Sequence, residues 1–387
     1  MTASAIDLPS TTEQRRAHRR RVGHLAVVWS LAVLVAWAVA TYVGRHPTLG
    51  GDGRGAIRRS PVQVLASWDG TIYESIAADG YRVSGDDRRL LVFFPLFPLA
   101  SRLLGGRQHA ALAGIILSQL SLLAAMLLLS ALAGRDTDRK LIEDPALWLL
   151  CAPMALFFHA MYSESLFILL TIGAAFAFRD SRFVITAILA CLAGLTRPTA
   201  VTFCVPFAVA AVAAWRRGDR WLPPLLCAAA PLVGIVAYVV AVGGMLGDPL
   251  AYTSLRSSFW HYQLSVPFTS TVHDVLDVAY ALRHMTAVPV WLVARLWTIG
   301  TALAVLVWGR RRLEPHWLAY VVVSLIFIHA SDPPGSTARY EVVLFPLFIL
   351  FALSPLAKPK IAPAFLILSF TAQMFLLAKF GQWVWVG

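Results

Sequence analysis

Acids and arginines at the edges of long apolar runs are the residues of this chain best placed to do chemistry. The stretch Ser67-Trp68-Asp69-Gly70-Thr71-Ile72-Tyr73-Glu74-Ser75-Ile76-Ala77-Ala78-Asp79-Gly80-Tyr81 reads as a short helix from Asp69 to about Ala78, lying on a membrane surface. Trp68, Ile72, Tyr73 and Ile76 would form its interface-seeking apolar face. Asp69 then sits near the helix N-terminus, where two compatible readings stand. It is a cap, as Asp commonly is, or a general base held at the lipid boundary. Tyr162-Ser163-Glu164 marks a turn between two apolar runs, and Glu164 suits the start of the second because an acid is favoured at a helix N-terminus. His159 lies in the run before it, where a lone histidine is ordinarily packed and hydrogen-bonded. Arg197-Pro198 interrupts an apolar stretch, a costly place for arginine unless it is paired, solvated or snorkelling. The loop from Ser331 ends in Arg339-Tyr340, and Arg339 serves equally as an interfacial anchor or as a planar, two-pronged phosphate ligand.

Other chemistries lack residues. Asp86-Asp87 resembles a hard-cation pair, but Arg88-Arg89 follows at once and a solvated loop face is the better reading. No metal-ligand constellation stands out. There is no G-x-x-x-x-G-K-S/T sequence and no G-x-S-x-G sequence, so ATP hydrolysis and α/β-hydrolase chemistry have no support. Cys151, Cys191, Cys204 and Cys227 all lie in apolar stretches and read as small buried hydrophobes.

The elements that must position these residues follow from composition. Of 387 residues, 58% are hydrophobic and 14% charged, against about 25% charged in soluble domains. Mean hydropathy is +0.68. Apolar runs of roughly 20 residues recur, each long enough to cross a hydrocarbon core about 30 Å thick as a helix. A helix satisfies its own backbone in lipid, which an open sheet cannot. The expected fold is an all-α, polytopic transmembrane helix bundle. About eleven spans fit, near 25–44, 110–133, 143–160, 163–178, 183–196, 199–214, 222–245, 288–308, 316–331, 339–356 and 361–380. Arg197-Pro198 would also allow one kinked helix in place of the pair at 183–196 and 199–214. That would turn the basic clusters at 216–220 and 310–312 outward, so two spans are expected.

The net charge of +12 does not point to nucleic acid, because the cations sit in short loops between apolar runs. That placement reads as topology control and attraction to membrane lipids. Basic clusters at Arg135, Arg139 and Lys140, at Arg179 and Arg182, at Arg216, Arg217 and Arg220, at Arg310, Arg311 and Arg312, and at Lys358 and Lys360 fall on the side of the basic N-terminal tail. Residues 1–24 are therefore expected in the cytoplasm, with Met1 to Gln14 disordered. Residues 25–387 form one membrane domain in the cell membrane. Ala38-Val39-Ala40 resembles a signal-peptidase site, but the run before it is longer than a signal core of roughly 7–15 residues, so the first span is expected to stay. Two long segments, about 45–109 and 246–287, face outside, and long loops commonly carry function.

Trp68-Asp69-Gly70 with Tyr73, Ile76-Ala77 and Gly80-Tyr81 resembles the first-loop motif of PIG-V-type mannosyltransferases. Phe93-Phe94-Pro95-Leu96-Phe97-Pro98 is similar to the F-F-P-x-x-P segment that follows it there. Tyr162-Ser163-Glu164-Ser165-Leu166-Phe167 is similar to that family's Y-S-E-S-L-F motif, and Arg197 matches its arginine after the next spans. Arg339-Tyr340 followed by Phe345-Pro346 resembles its C-terminal R-Y motif. The resemblance covers about residues 60–350, in the family's order. It implies a GT-C type glycosyltransferase that uses a polyprenyl-phosphate sugar donor and keeps a catalytic acid, here Asp69, in the first external loop. Trp68, Tyr73, Glu74, Tyr81, His159, Tyr162, Glu164, Arg197, Arg339 and Tyr340 are then candidates for substrate binding. The eukaryotic acceptor is a glycosylphosphatidylinositol precursor. The high Ala, Arg and Val content suits a GC-rich bacterium, where a polyprenyl-phosphomannose donor and a cell-envelope glycan or glycolipid acceptor are expected.

Such a reaction needs a base for the acceptor hydroxyl, cations for the leaving phosphate and a lipid-accessible groove at one depth. Asp69 would supply the first, and Arg339, Arg197 and His159 the second. Aromatic residues from Phe93 to Phe97 and from Trp260 to Tyr262 would line the third. Arginine can stabilise the departing charge, so neither metal nor cofactor is expected. The rival class is a lipid or sugar transporter or flippase, which should place ionisable groups near the bilayer midplane instead of at the outer face.

Overall fold

A computed structural model describes residues 11–47, 57–134, 140–332 and 336–386. Arg135, Arg139 and the loop residues Pro333 to Gly335 lie outside the described residues, as does the expected disordered tail as far as Ser10; from Thr11 the chain is helical. Among the described residues, six helices are long and apolar enough to cross a membrane: Arg19–Arg45, Ala110–Leu132, Pro198–Arg217, Leu222–Leu246, Val290–Gly309 and Ala362–Gly381. A seventh candidate is a broken pair, Pro153–His159 and Glu164–Arg179, bent by 99°. Shorter apolar helices, Phe183–Gly194 and Pro315–Ile328, pack among them. At 1.5 Å per residue they reach only about 20 Å.

The continuous span expected at 143–160 is interrupted. Pro145–Cys151 is one helix, and Pro153–Ala155 and Leu156–His159 are separate short turns. The cause is local. Pro153 disfavours the helical region for the residue before it, and Ala152 is extended at φ −61°, ψ 140°. A second extended residue, Ala160 at φ −88°, ψ 171°, sets off the sharp bend into Glu164–Arg179. The pair expected at 183–196 and 199–214 does divide at Arg197, whose backbone is extended between Phe183–Gly194 and the helical stretch from Pro198.

Close helix approach sets the loop that bears Arg197. A Cβ added at Gly194 would lie 2.2 Å from the Pro231 carbonyl oxygen, and one added at Gly234 would lie 2.2 Å from that of Cys191. Only glycine permits this contact between Phe183–Gly194 and Leu222–Leu246, the small-residue packing common where helices meet in lipid.

In their described residues both long segments fold into short helices. The first carries Pro61–Leu65, Asp69–Asp79 and Leu96–Gly105. The second carries Ala251–Trp260 and Thr269–Arg283. The strand Gln263–Leu264 pairs antiparallel with Ser331–Asp332, a two-residue ladder and the one sheet among the described residues. It ties the second segment to the loop before Thr337–Glu341, the helix that holds Arg339.

The orientation expected from the basic clusters is testable in a chain whose four native cysteines are replaced. Single cysteines at the exposed positions Arg88 and Ser257 should react with an impermeant maleimide in intact cells. A cysteine at the exposed Arg216 should react only after lysis. The reverse pattern would invert the topology.

Candidate active site

Asp69 is the first residue of the helix Asp69–Asp79, but it does not cap it: the position before is Trp68, and no side chain caps the helix there. Trp68 has φ 58° and ψ −125°, a left-handed conformation that costs a non-glycine residue of order 1–3 kcal/mol. Its indole N–H donates to the Phe380 carbonyl oxygen at 3.2 Å, and its ring packs 5.2 Å from that of Trp383 and 5.1 Å from that of Trp385. The C-terminal end of the described chain thus holds this turn. Arg59 adds to the clasp, donating to the Gly381 carbonyl and lying over the Trp383 ring.

The Asp69 carboxylate faces Arg339, whose Nη1 donates to Oδ2 at 2.6 Å. The Asp69 backbone N–H donates to the Tyr162 hydroxyl at 3.1 Å, and that hydroxyl donates to the Ser67 carbonyl at 3.3 Å. Glu164 extends the network, with Oε1 3.1 Å from Arg339 Nε and 3.2 Å from Arg197 Nη1. The Tyr73 and Ser163 hydroxyls meet at 3.1 Å beside it. Tyr340 presents its ring to both cations, at 4.8 Å from the Arg197 guanidinium and 5.3 Å from that of Arg339. Phe157 and Tyr162 also face Arg339, at 5.5 and 5.2 Å. Aromatic faces attract a guanidinium, more strongly when it is desolvated.

Glu164 is 1% exposed, Arg197 5% and Arg339 6%. Two carboxylates and two guanidiniums therefore balance in a nearly dry setting, where each charge depends on the others. Burial works against the charge on Arg339, but Asp69 and Glu164 outweigh it and hold its pKa well above the ordinary arginine value. Burial, reinforced by Glu164, pushes the Tyr73 phenol up, so it stays a neutral hydrogen-bonding group.

These residues border a cavity of about 400 Å³. Trp68, Asp69, Tyr73, Arg197, Arg339 and Tyr340 are on its wall, together with Phe93, Phe94, Trp260 and Tyr262. Glu164 and Tyr162 belong to the network that fixes the wall. Three singled-out residues stand apart. Glu74 is exposed on the outer side of its helix. The Tyr81 hydroxyl donates to the Phe93 carbonyl at 2.7 Å, and its ring packs against Tyr238. His159 is buried beside the Gln119 side chain, with Nδ1 about 3.2 Å away, the packed reading of a lone histidine. Thr196, Thr199, Tyr252, Arg256, Ser336 and Trp385 also line the cavity and went unread in the sequence. The one available signal was Arg256 four residues before Trp260, a spacing that puts both on one helix face.

The backbone explains the convergence. The Leu96 N–H donates to the Leu195 carbonyl at 3.0 Å, fastening the Phe93–Phe94 turn beside the Arg197 loop. The Tyr238 hydroxyl reaches the carbonyls of both Leu91 and Phe93. On the far side of the arginine helix, His329 Nε2 lies 2.9 Å from Glu341 Oε1 and Nδ1 lies 2.9 Å from the Thr271 hydroxyl. Arg295 pairs with Asp274 at 2.7 Å nearby. No group of three or more His, Cys, Asp or Glu side chains that could hold a metal ion occurs among the described residues.

No family model matches the chain, and no curated protein matches it. Among solved structures, it is similar to the crystal structure of the Archaeoglobus fulgidus oligosaccharyltransferase tethered with an acceptor peptide through a disulfide bond. Identity is 10% and the TM-score 0.45. The match covers 94% of this chain and 55% of that one, so the chain spans about half the length of that protein. The functional reading therefore rests on the chain's own residues.

Proposed function

We propose that this protein is a membrane glycosyltransferase of GT-C type. It moves mannose from a polyprenyl-phosphate-mannose donor to a hydroxyl of a cell-envelope glycolipid or glycan at the outer face. The observation that carries this reading is the Asp69 carboxylate. It stands on the wall of an aromatic-lined cavity and is fixed through Oδ2 by Arg339. Its Oδ1 accepts no hydrogen bond from the described residues and is left for the acceptor.

In the proposed step the acceptor oxygen attacks the anomeric carbon while its proton passes to Asp69. The bond from that carbon to the phosphate oxygen breaks, and its electron pair leaves with the phosphate. General base catalysis of this kind is typically worth about 10²–10⁴-fold. Attack opposite the phosphate inverts the anomeric centre, so a β-linked donor yields an α-linked product. Tyr340 and the buried Glu164 keep Arg339 and Arg197 from drifting, which matters because positioning errors of about 1 Å are costly.

Purified protein in lipid nanodiscs, given polyprenyl-phosphomannose and envelope lipid extract, should release polyprenyl phosphate and yield a hexose-extended product detectable by mass spectrometry. In sealed vesicles, donor moved intact across the bilayer with no product formed would establish a flippase instead.

A further inference from the structure

We propose that Arg256, stacked on Tyr262 at the cavity wall, is the residue that receives the phosphate of the lipid-linked donor. The proposal rests on the glycosyltransferase reading and names the group that meets its leaving charge.

The argument begins with the two arginines of the buried network. Arg339 lies 2.6 Å from Asp69 and 3.1 Å from Glu164, and Arg197 lies 3.2 Å from Glu164. A phosphate approaching either must compete with carboxylates already in place. Arg256 is a third guanidinium on the same cavity, and it has no carboxylate at ion-pair distance among the described residues. Three cations against two acids leave one positive charge over, and Arg256 carries it. An anion entering the cavity is drawn there without dismantling the network that holds Asp69.

Local geometry prepares it for the task. The helix Ala251–Trp260 ends at His261, in the left-handed region at φ 50°. This turn brings the Tyr262 N–H to the Arg256 carbonyl at 3.2 Å and lays the Tyr262 ring 3.6 Å from the guanidinium carbon. Stacking on a face leaves the N–H edge of the planar guanidinium for a two-point acceptor such as a pair of phosphate oxygens. The ladder that follows at once, Gln263 opposite Asp332 and Leu264 opposite Ser331, locks the turn to the segment leading into Arg339. Phosphate cation and acid are thereby held on one cavity by elements from different parts of the chain. As the bond to the anomeric carbon breaks, the departing phosphate gains one unit of negative charge, and a fixed cation beside it stabilises that change.

Decaprenyl monophosphate binding to the full chain in neutral-lipid nanodiscs, followed by native mass spectrometry, tests this. Wild-type protein should bind it saturably. Arg256→Ala should weaken binding by about 10-fold or more, the usual scale for a hydrogen-bonded charge, and Arg256→Lys should fall between. Tyr262→Leu should weaken it less. Equal affinity in Arg256→Ala and wild type overturns the assignment and leaves the glycosyltransferase reading standing. Absence of saturable binding by wild type overturns both. Displacement by phosphatidylglycerol at matched concentration would show a general anionic-lipid site, and displacement by millimolar inorganic phosphate a free-phosphate site. Either result overturns the donor assignment.

Discussion

Asp69→Asn is expected to lower glycosyl transfer by about 10²-fold or more while the protein still inserts and folds. The amide oxygen can still accept from Arg339, so the 2.6 Å contact has a successor, but it cannot take a proton at neutral pH. Helix capping is not at stake, because the Asp69 side chain makes no cap. Asp69→Glu should also be poor, since one more methylene displaces the carboxylate by about 1 Å, and errors of that size are costly. Glu74→Gln is the matched control, an exposed acid one turn away and outside the network. Transfer rates measured at equal expression and equal thermal stability decide the matter. Near-normal transfer by Asp69→Asn would remove Asp69 as the base, and a dead Glu74→Gln beside it would move that role to Glu74.

The second large effect belongs to Arg339. Arg339→Met strips Asp69 of its paired cation and leaves Glu164 with Arg197 alone, and breaking a buried ion pair from one side costs about 3–5 kcal/mol. A clear drop in thermal stability in detergent should accompany the loss of transfer. Arg339→Lys keeps the charge, but a single ammonium cannot span two carboxylates that now meet different nitrogens, Nη1 and Nε. It should retain more stability than activity. Adding Asp69→Asn to Arg339→Met removes the stranded charge, so the double variant should be more stable than the sum of the single effects. Unfolding curves for the four proteins test this coupling. A fully stable Arg339→Met would show that the network is not what holds the site together.

Much of this arrangement was legible because lipid leaves so few structural choices. Apolar runs of span length mark the bundle, and any acid or arginine at their edges is conspicuous. Asp69, Glu164, Arg197 and Arg339 could therefore be singled out one by one. Their pairing could not be, since Arg339 and Asp69 lie 270 residues apart and no local pattern encodes which arginine meets which acid. Arginine as a phosphate ligand was a sound reading of residue type, yet the folded chain sets Arg197 and Arg339 against carboxylates. The break at Ala152–Pro153 was hidden by hydropathy, which does not distinguish a straight helix from two apolar pieces at an angle. Arg256 escaped notice because its meaning depends on the left-handed turn at His261, a conformation that histidine seldom announces.

The clasp on Trp68 bears on how the protein is made. The turn that presents Asp69 is held by the carbonyl of Phe380 and the rings of Trp383 and Trp385, 312 residues further on in the case of Phe380. Synthesis proceeds from the N-terminus, and domains assemble in that order where they can. A nascent chain halted before Leu377 would contain every acid and arginine of the cavity and still lack the anchor for its strained turn. The Asp69 turn would then be set only once Ala362–Gly381 and the tryptophans after it have been made, so a chain short of them holds its acid in no fixed place.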